Sequence, residues 1–99
     1  MIKKLSNKEA QKLIRELLDL GYFRKVDHVC KQMEKRNYSD LDLINVLYKG
    51  KIKGPPVYDE KYHNWKYRVE GSVVEGEKTI VVVAIQNNEE LVCITIMDK

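Results

Sequence analysis

Cysteine is scarce in this chain. Cys30 and Cys93 are not arranged as a Cys-x-x-Cys pair, and each is embedded in an apolar pattern. That argues against a disulfide framework, and both read as small buried thiols. Histidine is equally sparse, with two well-separated residues, so no zinc site and no cofactor are expected within the chain. No stretch approaches the roughly 18 consecutive apolar residues of a membrane span. The opening Met1-Ile-Lys-Lys-Leu-Ser6 lacks the apolar core of a secretory signal. These absences point to a cytoplasmic protein with no membrane partner. Internal repeats and low-complexity segments are lacking too, and the two prolines stand side by side at 55 and 56.

What is present suits one modest core: 99 residues with 43% hydrophobic content make a single domain, residues 1–99, and too little chain for two. The net charge of +3 hides an asymmetry. Residues 1–36 carry ten Lys/Arg against five Asp/Glu, residues 37–62 four of each, and residues 63–99 four against six. An acidic or nucleic-acid partner would most easily meet the basic, helical end, although charge alone favours the plainer reading that exposed lysines keep the protein soluble.

Ser6-Asn-Lys-Glu9 has the form of a capping box, and Ala10, Leu13, Ile14, Leu17 and Leu18 then recur at helical spacing up to Gly21. The pattern predicts an amphipathic helix over 7–20, whose apolar stripe offers a surface for a second copy of the chain or another partner. Tyr22–Val26 is too short to classify and reads as an extended link or a brief strand. Helices follow at 27–36 and 40–49: Ser39 and Asp42 suit the second start, and Gly50 suits a left-handed closing residue. On the first of these, Val26, Val29, Cys30 and Met33 form one stripe, and His28, Gln32 and Lys35 swing to the other side with Arg36 at the border. This polar line is the leading candidate site.

After Gly50 the character changes. Pro55-Pro56 holds the chain extended, which predicts a loop with an edge strand near Val57–Tyr58. Trp65, Tyr67 and Val69 alternate with Lys66, Arg68 and Glu70, as a half-buried strand does. Glu75-Gly-Glu77 turns the chain into the uncharged, β-branched run Thr79–Ile85, a central strand. Gln86–Glu90 turns it again into Leu91–Met97. The order predicts an α+β fold, with N-terminal helices packed on a three- to four-stranded antiparallel sheet.

The combination of His28, Gln32, Met33 and Arg36, an Asn-Tyr-Ser turn, Val46-Leu47, Gly50, Tyr67-Arg68-Val69, Val81-Val82-Val83 and Ile94-Thr95-Ile96 resembles a bacterial family of uncharacterised small domains. That family is related to the BrnT and MqsR toxins of the wider RelE-like ribonuclease superfamily. The resemblance covers roughly residues 22–97 and leaves the first helix mostly outside. It implies a RelE-like helix-on-sheet domain, often encoded beside an antitoxin with a zinc ribbon or a helix-turn-helix part. Members usually place Arg where this chain has Gln32, so one basic contact is missing here.

Under that resemblance the expected activity is metal-independent endoribonuclease cleavage by a toxin. Such chemistry needs a base for the 2′-hydroxyl, cations for the phosphorane charge and an acid for the leaving oxygen. The catalytic candidates are His28 as acid or base, Arg36 and Arg68 as phosphate forks, and Lys66 as a point charge. Tyr58, Tyr62 and Tyr67 are candidates for a phenolic proton or base stacking. Gln32, Lys35 and Thr95 complete the RNA-binding set. The alternative is a non-catalytic module of the same fold that binds a protein or nucleic acid, with Lys66 and Arg68 as the wet side of a sheet and Arg36 as a helix cap.

Overall fold

A computed structural model of the chain describes residues 4–61, 63–87 and 89–99. These form three helices and a six-stranded mixed sheet. The first helix, α1 (Asn7–Leu20), starts at the Ser6/Glu9 capping box and stops at Gly21, whose φ of 77° is left-handed. Strand β1 (Phe23–Lys25) leads into α2 (Asp27–Arg36), closed by a left-handed Asn37. Helix α3 (Asp40–Lys49) opens on a capping box of Ser39 and Asp42. The backbone N–H of Ser39, then that of Val74, holds the Asp42 carboxyl below the usual carboxylate range.

Gly50 departs from expectation. Its φ is −74°, so the residue is not needed for a left-handed turn. What it supplies is room: a Cβ there would lie 2.3 Å from the Val46 carbonyl oxygen and 2.7 Å from that of Glu70. Gly71 meets the same helix end, with its hypothetical Cβ 2.8 Å from Val46 O. Two glycines therefore let α3 sit directly on the sheet backbone.

The sheet order is β1-β6-β5-β4-β2, built from β2 (Lys51–Ile52), β4 (Asn64–Ser72), β5 (Lys78–Gln86) and β6 (Glu90–Asp98); β3 (Val57–Asp59) pairs with β4 beyond β2. This corrects the expected three- to four-stranded antiparallel sheet, because β1 runs parallel to β6. The additional strands are two or three residues long, too short to show a period of two, and β1 pairs with a strand nearly seventy residues away, as Phe23 with Leu91.

All three helices cover one face. Ala10, Ile14, Leu17 and Leu18 of α1, Val29 and Met33 of α2, and Leu43, Val46 and Leu47 of α3 pack with Tyr67, Val69, Val81, Val83, Leu91, Cys93 and Ile96. The stripe of α1 is thus buried in its own chain, and a dimer through those side chains would require α1 to undock. Tyr67 ties the chain before α1 to the core. Its hydroxyl accepts from Leu5 N–H at 2.9 Å and donates to Leu5 C=O at 3.1 Å. Cys93 is fully buried, and desolvation pushes its thiol up to about 12. Cys30 is exposed, contrary to the buried pair expected, because α2 turns only Val29 and Met33 fully inward.

Candidate functional site

The face of the sheet away from the helices carries three of the candidate residues, Lys66, Arg68 and Thr95, because strand alternation and register bring them into rows. Arg68 lies opposite Val82 on β5, and Val82 opposite Thr95 on β6. One step along, Lys66, Ala84, Val92 and Arg24 form the next row. On the other side come Glu70, Ile80 and Met97. Thr95 reaches this face only because the β5–β6 register shifts by one residue between Val82 and Val83, leaving Ile94 as the extra residue of a bulge. Without the bulge, alternation from Cys93 would turn Thr95 towards the helices.

Between the β2–β3 edge and β6 lies a concavity of about 500 Å³. Lys53, Lys66, Arg68 and Glu70 supply its charges, and Val57, Val82 and Met97 supply much of its apolar surface. Lys66 is paired with Asp59 at 3.2 Å, and Arg68 with Glu70 at 3.3 Å. The Arg68 side chain stays 53% exposed, and ion pairs as open as this are worth little, so its guanidinium is available to an incoming anion. Glu70 also receives Lys99 at 3.0 Å. That hydrogen bond, with the charges of Arg68 and Lys53, holds the Glu70 carboxyl below the ordinary range. Glu70 therefore acts as a fixed counter-ion rather than as a proton donor near neutrality.

The polar line of α2 is placed differently. Gln32 Oε1 accepts the Ile96 backbone N–H at 2.9 Å, with the Thr95 hydroxyl at 3.4 Å. The glutamine thus covers the β6 edge where β1 has ended. His28, one turn earlier, is exposed and shares a concavity of about 570 Å³ with Lys31, Gln32, Glu34 and Lys35. No sheet residue lines that concavity, and no α2 residue lines the one holding Lys66 and Arg68. Arg36 pairs with Asp98, which shares the helix-side row of Thr79 and is 78% exposed. It therefore stands apart from Lys66 and Arg68.

Of the aromatic candidates among the described residues only Tyr67 lines the concavity of the cations, and its hydroxyl is not free to act there. Tyr58 pairs with Trp65, edge to face at 5.4 Å, on the other side of β4. Tyr67 is buried, and its hydroxyl is engaged by Leu5. Tyr62 lies outside the described residues. Among the described residues no group of three His, Cys, Asp or Glu is placed to hold a metal ion, and no helix is long and apolar enough to cross a membrane.

A family model described as a domain of unknown function, DUF4258, matches residues 26–98. The chain belongs to this family. The DUF4258 unit spans α2 through β6, so both the open sheet face and the polar line of α2 fall inside it, and α1 and β1 precede it. No curated protein and no solved structure matches the chain.

Sequence reasoning missed Lys53 and Glu70 in this DUF4258 site. Lys53 sits in what reads as a featureless loop, and its N–H bond to Arg68 C=O, 2.9 Å, is what brings it to β4. Glu70 was legible as the next alternate residue after Arg68, on the same face.

Proposed function

We propose that this domain is a toxin-like endoribonuclease that lays RNA across the open face of its sheet and cuts it without a metal ion. The supporting observation is the juxtaposition of Lys66 and Arg68 on one sheet face, above an open concavity, in line with Thr95. A guanidinium and an ammonium so presented suit the non-bridging oxygens of a phosphate passing to a phosphorane. The reaction is attack of the 2′-hydroxyl on phosphorus with rupture of the P–O5′ bond. One proton leaves the 2′-oxygen and one arrives at O5′. His28 is the candidate for proton transfer; it lines a separate concavity on α2, so this role requires the bound strand to carry the reacting phosphate from Arg68 to within its reach. An antitoxin carrying a zinc ribbon or a helix-turn-helix part would silence the domain by covering this face.

The alternative is a non-catalytic module that binds nucleic acid or protein through the same face. Two observations favour it: His28 lines a different concavity from Arg68, and Gln32 is engaged with the β6 backbone.

Incubation of purified protein with single-stranded and ribosome-bound RNA in chelator separates the two. Cleavage that falls about a hundredfold in Arg68→Ala, and also falls in Lys66→Ala and His28→Ala, supports the nuclease. RNA binding without product supports a nucleic-acid-binding module; neither binding nor product refutes the nuclease and leaves only a module for a protein partner.

A further inference from the structure

The concavity of Lys66 and Arg68 has a neighbour on the far side of Glu70. Beyond it the sheet edge forms a second one, of about 420 Å³, whose charges come from Lys49, Lys51, Lys53, Lys78 and Lys99 around Glu70. Three elements and two residues that follow strands deliver these lysines. Lys49 ends α3, Lys51 on β2 lies opposite Glu70, and Lys78 opens β5 opposite Ser72. The C-terminal Lys99 is drawn in by its N–H bond to Lys78 C=O. Among the described residues Lys99 has a carboxylate partner, in Glu70, and Lys49, Lys51, Lys53 and Lys78 have none. Gathering like charges in a concave site raises the local potential and concentrates anions there. Lys53 and Glu70 line both concavities, so the two adjoin across these side chains.

We propose that this lysine basin is a second polyanion subsite, which takes the backbone of the same RNA strand some nucleotides beyond the phosphate held by Lys66 and Arg68. The proposal rests on the RNA reading above and extends it. It also relocates the electrostatic footprint: the expected partner-facing surface was the basic N-terminal half, whereas the basin is assembled from residues 49–53, 78 and 99, two of them in the segment with the acidic balance.

The test is fluorescence anisotropy of a labelled oligouridylate of about twelve nucleotides, within the footprint range of single-strand binders, measured over a range of salt concentrations. The triple variant Lys49→Gln/Lys51→Gln/Lys78→Gln is expected to lower the slope of log K against log salt by about 2, from about 0.7 per lost phosphate contact. The Lys→Arg triple should keep the slope, as should the control Lys8→Gln/Lys12→Gln on α1. Circular dichroism verifies the fold of each. Binding by the unmodified protein with an unchanged slope in the Gln triple overturns the basin and leaves the RNA reading standing. An equal loss in the α1 control overturns it as well, as does a triple that loses affinity for polyglutamate but not for RNA, which makes the basin a protein site. An unmodified protein that binds no RNA overturns both.

Discussion

Tyr67→Phe is the most direct probe of how the chain before α1 is held. The tyrosine is 2% exposed and Leu5 9%, and the lost oxygen serves both the N–H and the C=O of Leu5 across 62 residues of sequence. Two buried backbone groups lose their partner at once. Each such group costs about 1–3 kcal/mol; Leu5 sits at the margin of the core, still 9% exposed, where water relieves part of that, so the expected loss is about 2 kcal/mol. For a domain of this size that is a fall in Tm of about 8–16 °C. Burial, as the first cause, raises the Tyr67 phenol above its ordinary 10.0. A raised native value stabilises the fold below the unfolded pKa and is lost as pH rises through the native one, so the unmodified protein should weaken above about pH 10 more than the variant does. Urea unfolding followed by Trp65 fluorescence, with hydrogen exchange at Leu5, reads all of this. An unchanged midpoint and a still-protected Leu5 amide would refute the tether.

Three further outcomes follow from packing and exposure. Gln32→Ala removes the acceptor of Ile96 N–H and should cost about 1 kcal/mol, with the Ile96 amide exchanging faster; equal protection in the variant counts against the edge-covering role. Gly71→Ala puts a Cβ 2.8 Å from Val46 O and should lower stability by about 1–3 kcal/mol, read as a shifted urea midpoint; no shift means that α3 can back away freely. Maleimide labelling of the native protein should modify the exposed Cys30 and spare Cys93 until denaturant is added, which intact-mass spectrometry resolves; early double labelling contradicts the buried Cys93.

Local chemistry made the helices readable. Ser6/Glu9 and Ser39/Asp42 close capping boxes, and the boundaries at 7–20, 27–36 and 40–49 coincide with those observed. The β4 alternation likewise put Lys66 and Arg68 opposite Tyr67 and Val69. What stayed hidden depends on contacts across the chain. The side taken by Thr95 hangs on the Ile94 bulge, which no periodicity announces. The parallel pairing of β1 with β6 joins segments nearly seventy residues apart in the chain, as Phe23 with Leu91. Arg36 suits a helix-end cap by position, but the β6 terminus supplies Asp98 instead. Summing charge by segment assigned residues 63–99 an acidic balance and so hid the place where Lys78 and Lys99 meet Lys49–Lys53.

The borders of the sheet set a limit on how anything can attach to this molecule. On one flank β2 and β3 are two and three residues long and are interrupted by Gly54-Pro55-Pro56, a segment with no N–H to offer at either proline. On the other, β1 ends after three residues and Gln32 occupies the Ile96 donor beyond it. Among the described residues neither flank offers a foreign peptide a long ladder to extend, so a protein partner of this domain has to recognise a surface of side chains rather than join the sheet as another strand.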